Sequence, residues 1–192
     1  MGLDKQPESE NNLIIPLISN GVKCISIGSL VDSNQAGIWR GPMVTKILHQ
    51  LIRGVNWRFD KKDVDVMIID MPPGTGDVYL SLAEKFPIYG VILVSTPQNL
   101  TIIDVIKSID CFEKLKIPIL GIIENMSYFE TNGKKMFLFG KDGVDELSKK
   151  RGIKILCKIP VLQEISDASQ ERKLIVLQDQ KIADLFKEIK ID

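Results

Sequence analysis

The stretch IIDMPPGTGD, residues 68 to 77, carries two kinds of information. Its front half ends the largely apolar run 64–69, which reads as a strand buried on both faces. Its back half turns through Pro72, Pro73, Gly74 and Gly76 and reaches Asp77, a residue suited to cap a helix beginning near Val78. Asp70 stands where that strand leaves the core. An ionised carboxylate there suits a water of a Mg²⁺ shell, because that ion keeps several waters and takes few protein ligands. The prolines stiffen the exit, and the glycines let backbone N–H groups approach an anion with no side chain in the way. Cap and turn chemistry alone also explains each residue type, so the isolated motif leaves a phosphate-linked site and a plain strand-to-helix turn both open.

Outward from this stretch the pattern repeats. Runs 24–27, 91–94 and 117–123 also read as strands buried on both faces, and run 153–159, interrupted by lysines, as a strand nearer an edge. Between them, Ile102, Ile106, Ile109 and Phe112 recur at helical spacing, with Thr96 as N-cap and Pro97 at the first helical position. Further helices are expected over residues 43–55, 144–150 and 182–189. Strands alternating with helices imply an α/β fold, a mostly parallel sheet with helices on both faces. Ligands of such sheets sit beyond the C-terminal ends of the strands, the edge on which MPPGTGD, STPQN and ENMS emerge. Residues 1–192 are expected to form a single domain, with the polar opening 1–12 loose.

The bulk numbers exclude several classes. The chain has 192 residues, 44% of them hydrophobic, enough for a packed core. Its 25 basic and 25 acidic residues balance, which gives no reason to expect a nucleic-acid or membrane-surface partner. The basic run Lys149, Lys150, Arg151, Lys154 and Lys158 straddles a helix end, where cations are favoured. Three widely spaced cysteines, Cys24, Cys111 and Cys157, argue for a reducing, cytoplasmic setting. The apolar runs are too short to cross a bilayer.

Other motifs narrow the chemistry. Gly74 and Gly76 are followed by Tyr79 where a dinucleotide fingerprint needs its third glycine. No G-x-x-x-x-G-K-[ST] occurs, since Gly133-Lys134 and Gly140-Lys141 run on into Lys135 and Asp142. His49 is the single histidine and lies far in sequence from Ser95, so Ser-His catalysis has little support. Asn125, which follows the run 121–124, either reads a nucleobase edge with its amide or eases a left-handed turn.

Together, IWRGPMVTKILHQLI, VDVMIIDMPPGTGDVYLSLAEKFPIYGVILVSTPQNLTIIDV, KIPILGIIENMSYF and GIKILCKIPVLQEISDAS closely resemble the Mrp/ApbC-type iron–sulfur cluster carrier ATPases, P-loop NTPases related to MinD. The resemblance runs from about residue 14 to near the C-terminus. It implies a P-loop NTPase-like fold in which Asp70 is the Walker B aspartate, acting on Mg²⁺ through water. Gly74 would offer its N–H to the γ-phosphate, and Asn125 would read adenine. The implied nucleotide and Mg²⁺ residues are thus Asp70, Pro73, Gly74 and Asn125, with ATP, Mg²⁺ and an iron–sulfur cluster as the groups bound. A homodimer sharing the cluster and delivering it to apoprotein clients is implied for the full-length form, with no nucleic acid and no membrane.

Two departures follow. The family's phosphate loop precedes everything seen here, so the chain reads as N-terminally truncated, the second half of a nucleotide site. No catalytic residue is assigned within it, and ATPase activity rests on resemblance alone. A non-enzymatic binding module and one half of a split ATPase are the alternatives. Loss of an interior strand would expose unpaired backbone, so poor solubility or partial unfolding is expected. Many relatives also carry a CxxC after ENMSYF, whereas residues 130–140, ETNGKKMFLFG, contain no cysteine. All three thiols read as structural, with Cys111 the least unfavourable cluster ligand.

Overall fold

The computed structural model describes residues 3, 5–30, 41–71 and 77–190, with only the backbone of residues 41, 42 and 77. The chain falls into two compact units, Met1–Lys85 and Phe86–Asp192.

The first unit opens on two hairpins. β1 (Ser9–Glu10) and β2 (Leu13–Ile14) pair antiparallel around Asn11 and Asn12, at φ 51° and 63°. β3 (Leu17–Ser19) and β4 (Val22–Cys24) pair around Asn20 and Gly21, at φ 50° and 79°. Both turns need two left-handed residues, which Asn and Gly tolerate best. The strand expected at 24–27 is therefore corrected: Cys24 closes an antiparallel hairpin, and a 3₁₀ turn, Ile27–Ser29, follows it. Here the Asn-Gly signal overrides the short apolar run.

α1 (Gly41–Arg53) packs on α2 (Asp77–Lys85), burying Leu48 and Leu82. Val55 then bridges Ile14, and Trp57 donates its indole N–H to Ile52 O at 2.9 Å. Lys23 ties the second hairpin to the loop after α1. Its Nζ lies 2.6 Å from Trp57 O, 2.7 Å from Asp60 Oδ1 and 2.9 Å from Lys62 O.

A second correction concerns the run that ends in Asp70. Residues 64–70 form no strand, and Val66 and Ile68 are 73% and 88% exposed. A strand has no hydrogen bonds of its own and exists only through neighbours beside and above it. Among the described residues nothing ladders with this run. An apolar composition without such neighbours leaves an irregular, exposed segment.

The second unit holds the parallel sheet. β5 (Val91–Ser95) leads through α3 (Asn99–Lys114) to β6 (Ile119–Asn125). The hairpin of β7 (Phe129–Thr131) and β8 (Lys134–Met136), then α4 (Gly143–Arg151), lead to β9 (Ile155–Ile159). Two helices, α5 (Gln163–Gln170) and α6 (Gln180–Lys187), follow. β5, β6 and β9 pair in parallel in that order, with β6 central. Gly121 permits the close approach of β9, because a Cβ there would lie 2.5 Å from Leu156 Cγ and 2.9 Å from Lys154 O.

Gly121, Ile122, Ile123 and Glu124 are buried in succession, which requires cover on both faces. On one face, Ile123, Cys157 and Ile159 pack with Ile165, Phe186 and Ile189. Lys158, alternating with Cys157 and Ile159, points the other way and pairs with Asp145 of α4. There α4 packs on α3, and Arg151 clamps the two through Asp110 at 2.7 Å and Glu113 at 3.4 Å. The α/β reading, a parallel sheet with helices on both faces, holds in this unit.

Candidate functional site

The strand ends of the second unit form its candidate binding edge. Asn125 is the last residue of β6 and lies opposite Ile159 in the ladder. Met126 follows in a left-handed conformation, φ 55°, and donates its N–H to Asn125 Oδ1 at 3.0 Å. The turn thus uses Met126 as its left-handed residue, while Asn125 braces it through the side chain. An amide oxygen accepts two hydrogen bonds, so this one does not exhaust it. Beyond the turn, Ser127 N and Oγ both donate to Ile159 O, at 2.9 and 3.0 Å, and Val161 N donates to Tyr128 O at 2.7 Å. These bonds stitch the exits of β6 and β9 together and fix Asn125 on the C-terminal edge of the sheet.

The exit of β5 differs from its reading in the sequence. Thr96 does not cap α3: its hydroxyl donates to Thr101 Oγ1 at 3.0 Å, and the helix starts at Asn99 behind an extended Gln98 with no side-chain cap. The side-chain partner in the first turn outcompetes the backbone N–H that a cap would take. Ser95 is buried, and its hydroxyl donates to Thr96 O at 2.8 Å, which occupies it in the turn rather than in nucleophilic chemistry.

The remaining candidates lie far apart in the sequence. Asp70 belongs to the first unit, exposed at the end of the unladdered segment. Pro73 and Gly74 lie outside the described residues. Asn125 belongs to the second unit. Cys24 ends β4, half-buried, its thiol pushed up by burial. Cys111 is half-buried on α3. Cys157 is buried in β9, and burial followed by the charge of Glu188 pushes its thiol up. Among the described residues no group of three or more His, Cys, Asp or Glu side chains is placed to hold a metal. His49 is half-buried on α1; burial holds its pKa down, helped by the charges of Lys85 and Arg53.

Two features escaped the sequence reading. Residues 129–136, where relatives were expected to differ by a cysteine pair, form the β7–β8 hairpin, turning through Asn132 and Gly133 at φ 50° and 71°. The Asn-Gly pair was a sufficient signal for it. The Lys23 clamp had no local signal, since its partners lie 34 to 39 residues away.

Known proteins resemble this chain along most of its length. The family model of the NUBPL iron-transfer P-loop NTPases (ParA) matches residues 1–191. An iron–sulfur cluster carrier protein of Rickettsia felis is 43% identical over 167 residues, 87% of this chain and 48% of that protein. The iron–sulfur cluster transfer protein NUBPL of Dictyostelium discoideum is 38% identical, covering 97% of this chain and 59% of its own length. A solved nucleotide-binding protein of Archaeoglobus fulgidus, in complex with ADP, superposes with a TM-score of 0.68 at 30% identity. That match covers 85% of this chain and 63% of the archaeal one. The chain spans about half the length of the curated relatives it matches. With a family model covering nearly every residue and the same α/β frame in a P-loop nucleotide-binding protein, the chain belongs to the Mrp/NUBPL family of iron–sulfur cluster carrier P-loop NTPases.

Proposed function

We propose that this chain serves iron–sulfur cluster transfer to apoproteins, with adenine nucleotide bound at the C-terminal edge of its sheet. The observation that carries the reading is the braced Asn125 at the end of β6, in a fold shared with an ADP-bound relative. A planar amide at that edge matches the donor and acceptor edge of adenine. In this reading Asp70 holds Mg²⁺ through water, and Gly74, beside Pro73, offers its N–H to the terminal phosphate. The 192 residues contain no G-x-x-x-x-G-K-[ST], and phosphoryl transfer depends almost wholly on the positioning and charge that such a loop supplies. We infer that they hydrolyse ATP slowly by themselves.

The cluster is cargo. A cluster shared by two subunits needs thiolates from each, but the described cysteines sit on three separate elements, and burial disfavours the thiolate of Cys24 and Cys157. Carrier function therefore draws its support from family membership, and no ligation step is assigned to these thiols. Homodimers and apoprotein clients belong to the same proposal.

Equilibrium dialysis of the 192-residue chain against Mg-ADP and Mg-ATP tests the nucleotide part. Saturable binding is expected, weakened about tenfold by Asn125→Ala through loss of the amide's hydrogen bonds. Asp70→Ala is expected to weaken ATP binding only when Mg²⁺ is present. No saturable binding, or binding indifferent to both substitutions, overturns the nucleotide site in this chain and favours a non-enzymatic binding module.

A further inference from the structure

All six strand residues of the β7–β8 hairpin are exposed. It is closed by the ladder pairs Phe129–Met136, Glu130–Lys135 and Thr131–Lys134. A lone two-stranded hairpin is marginal in water, so this one opens locally at small cost. Its loop is Asn132-Gly133, both exposed and both outside the ladder, at φ 50° and 71°.

Asn20-Gly21 makes the same loop in the β3–β4 hairpin, at φ 50° and 79°, but its surroundings differ. Asn20 Nδ2 donates to Ser19 Oγ at 3.1 Å, whereas among the described residues nothing bonds the Asn132 amide. The β3–β4 hairpin is also tied down by Lys23, whose ammonium is committed to Trp57 O, Asp60 and Lys62 O. Lys134 and Lys135, which follow Gly133, are both exposed. Cations beside a peptide N–H favour loss of its proton, as positive charge favours any nearby anion. A glycine after the asparagine leaves the approach to its nitrogen clear of any Cβ.

We propose that Asn132-Gly133 is a site of spontaneous covalent modification. The Gly133 nitrogen, its proton lost, attacks Asn132 Cγ, and the new C–N bond closes a five-membered succinimide. The bond from Cγ to Nδ2 breaks, and Nδ2 leaves as ammonia with a proton regained from water. Water then opens the ring, at the main-chain carbonyl to give iso-aspartate or at the side-chain carbonyl to give aspartate. Nothing is oxidised or reduced, and water is the co-reactant. The attack requires Asn132 to rotate out of its left-handed turn, which local opening of this exposed hairpin permits. Iso-aspartate adds a methylene to the main chain inside a two-residue loop, so the Thr131–Lys134 pair no longer closes and the hairpin loosens.

Incubation of the 192-residue chain at mildly alkaline pH, followed by peptide mass spectrometry, reads both loops in one sample. Asn132 is expected to convert roughly tenfold faster than Asn20 in the folded chain. Iso-aspartate is identified by fragmentation across its extra backbone methylene. In concentrated urea the anchoring of β3–β4 is gone, and the gap between the two sites is expected to narrow. Gly133→Ala meets nothing within 4 Å of its added Cβ but is strained at φ 71°. It loosens the hairpin yet hinders the attacking nitrogen, so slower conversion of Asn132 in this variant separates the chemistry from flexibility alone. Asn20 converting as fast as Asn132 in the folded chain, a gap of the same size in urea, or conversion not slowed by Gly133→Ala overturns the proposal.

Discussion

Ile68 in the first unit is 88% exposed, whereas Ile122 in the second is fully buried, although both sit in apolar runs that read as buried strands. What separates them is their neighbours. Ile122 lies in β6 between two parallel ladders, with helices on both faces. Ile68 has no ladder among the described residues. A helix satisfies its backbone within one stretch of sequence, while a strand depends on distant ones, so equal composition gives opposite outcomes.

The largest expected effect that tests this contrast is in amide exchange. The amides of Ile122 and Ile123 should exchange only through opening of the second unit, and those of Val66 and Ile68 nearly as fast as in an unfolded chain. A gap of roughly 10³-fold or more is expected, given domain stabilities of several kcal/mol. Comparable protection in the two runs, measured by residue-resolved hydrogen exchange, would break the comparison.

Substitution gives the next effect. Ile122→Ala removes a fully buried side chain and is expected to cost about 2–5 kcal/mol in denaturant unfolding of the second unit. Ile68→Ala should change stability by no more than about 0.5 kcal/mol, as exposed sites do. An Ile68→Ala cost close to that of Ile122→Ala would mean that the 64–70 segment packs somewhere in solution.

The same contrast explains how much was legible beforehand. The helices α1, α3, α4 and α6 were readable to within a few residues, because their apolar spacing is local information. So was β6 with Asn125 at its end, because a run buried on both faces in a βαβ context has few alternatives. The run ending in Asp70 was misread because no local pattern tells a strand whether its partners exist. The β3–β4 and β7–β8 hairpins are written in Asn20-Gly21 and Asn132-Gly133, and the apolar run at 24–27 masks the first with a competing strand pattern. Glu124 carries no local signal of its surroundings, since only the fold brings Lys158 and Asp145 beside it.

A third test asks what holds the first unit where apolar packing is thin. Lys23, with its side chain 12% exposed, is fixed by two carbonyls and Asp60. Lys23→Met keeps the stem and removes those bonds. It is expected to cost about 1–3 kcal/mol, much of it from carbonyls left without a donor. The carboxyl of Asp60, which the hydrogen bond from Lys23 holds below its ordinary value of 3.8, should rise in the variant, as carbonyl or carboxyl NMR titration would read. A normal unfolding midpoint in Lys23→Met would transfer the stabilising role to α1 and α2.

The smallest effect distinguishes the two units by sign. In the first, the pKa of His49 is held below its ordinary 6.5, chiefly by burial and then by Lys85 and Arg53. The unfolded chain then binds more protons than the folded unit as pH falls below 6.5, so acid destabilises the first unit. In the second, the Glu124 carboxyl is raised above its ordinary 4.5, chiefly by burial, which outweighs the pull of Lys158. There the folded unit binds more protons between 4.5 and the raised value, so its stability grows as pH falls through that window. Between neutrality and pH 4.5 the contributions of His49 and Glu124 therefore run in opposite directions. Unfolding followed separately in each unit, by exchange of α1 amides and of β6 amides, should show the two slopes diverging. Glu124→Gln should flatten the slope of the second unit and leave that of the first untouched, and His49→Gln should do the converse. Slopes that stay parallel in the unaltered chain would mean that water or the Lys158 ammonium offsets the burial of the Glu124 carboxyl in full, and that β6 carries no net proton linkage through it.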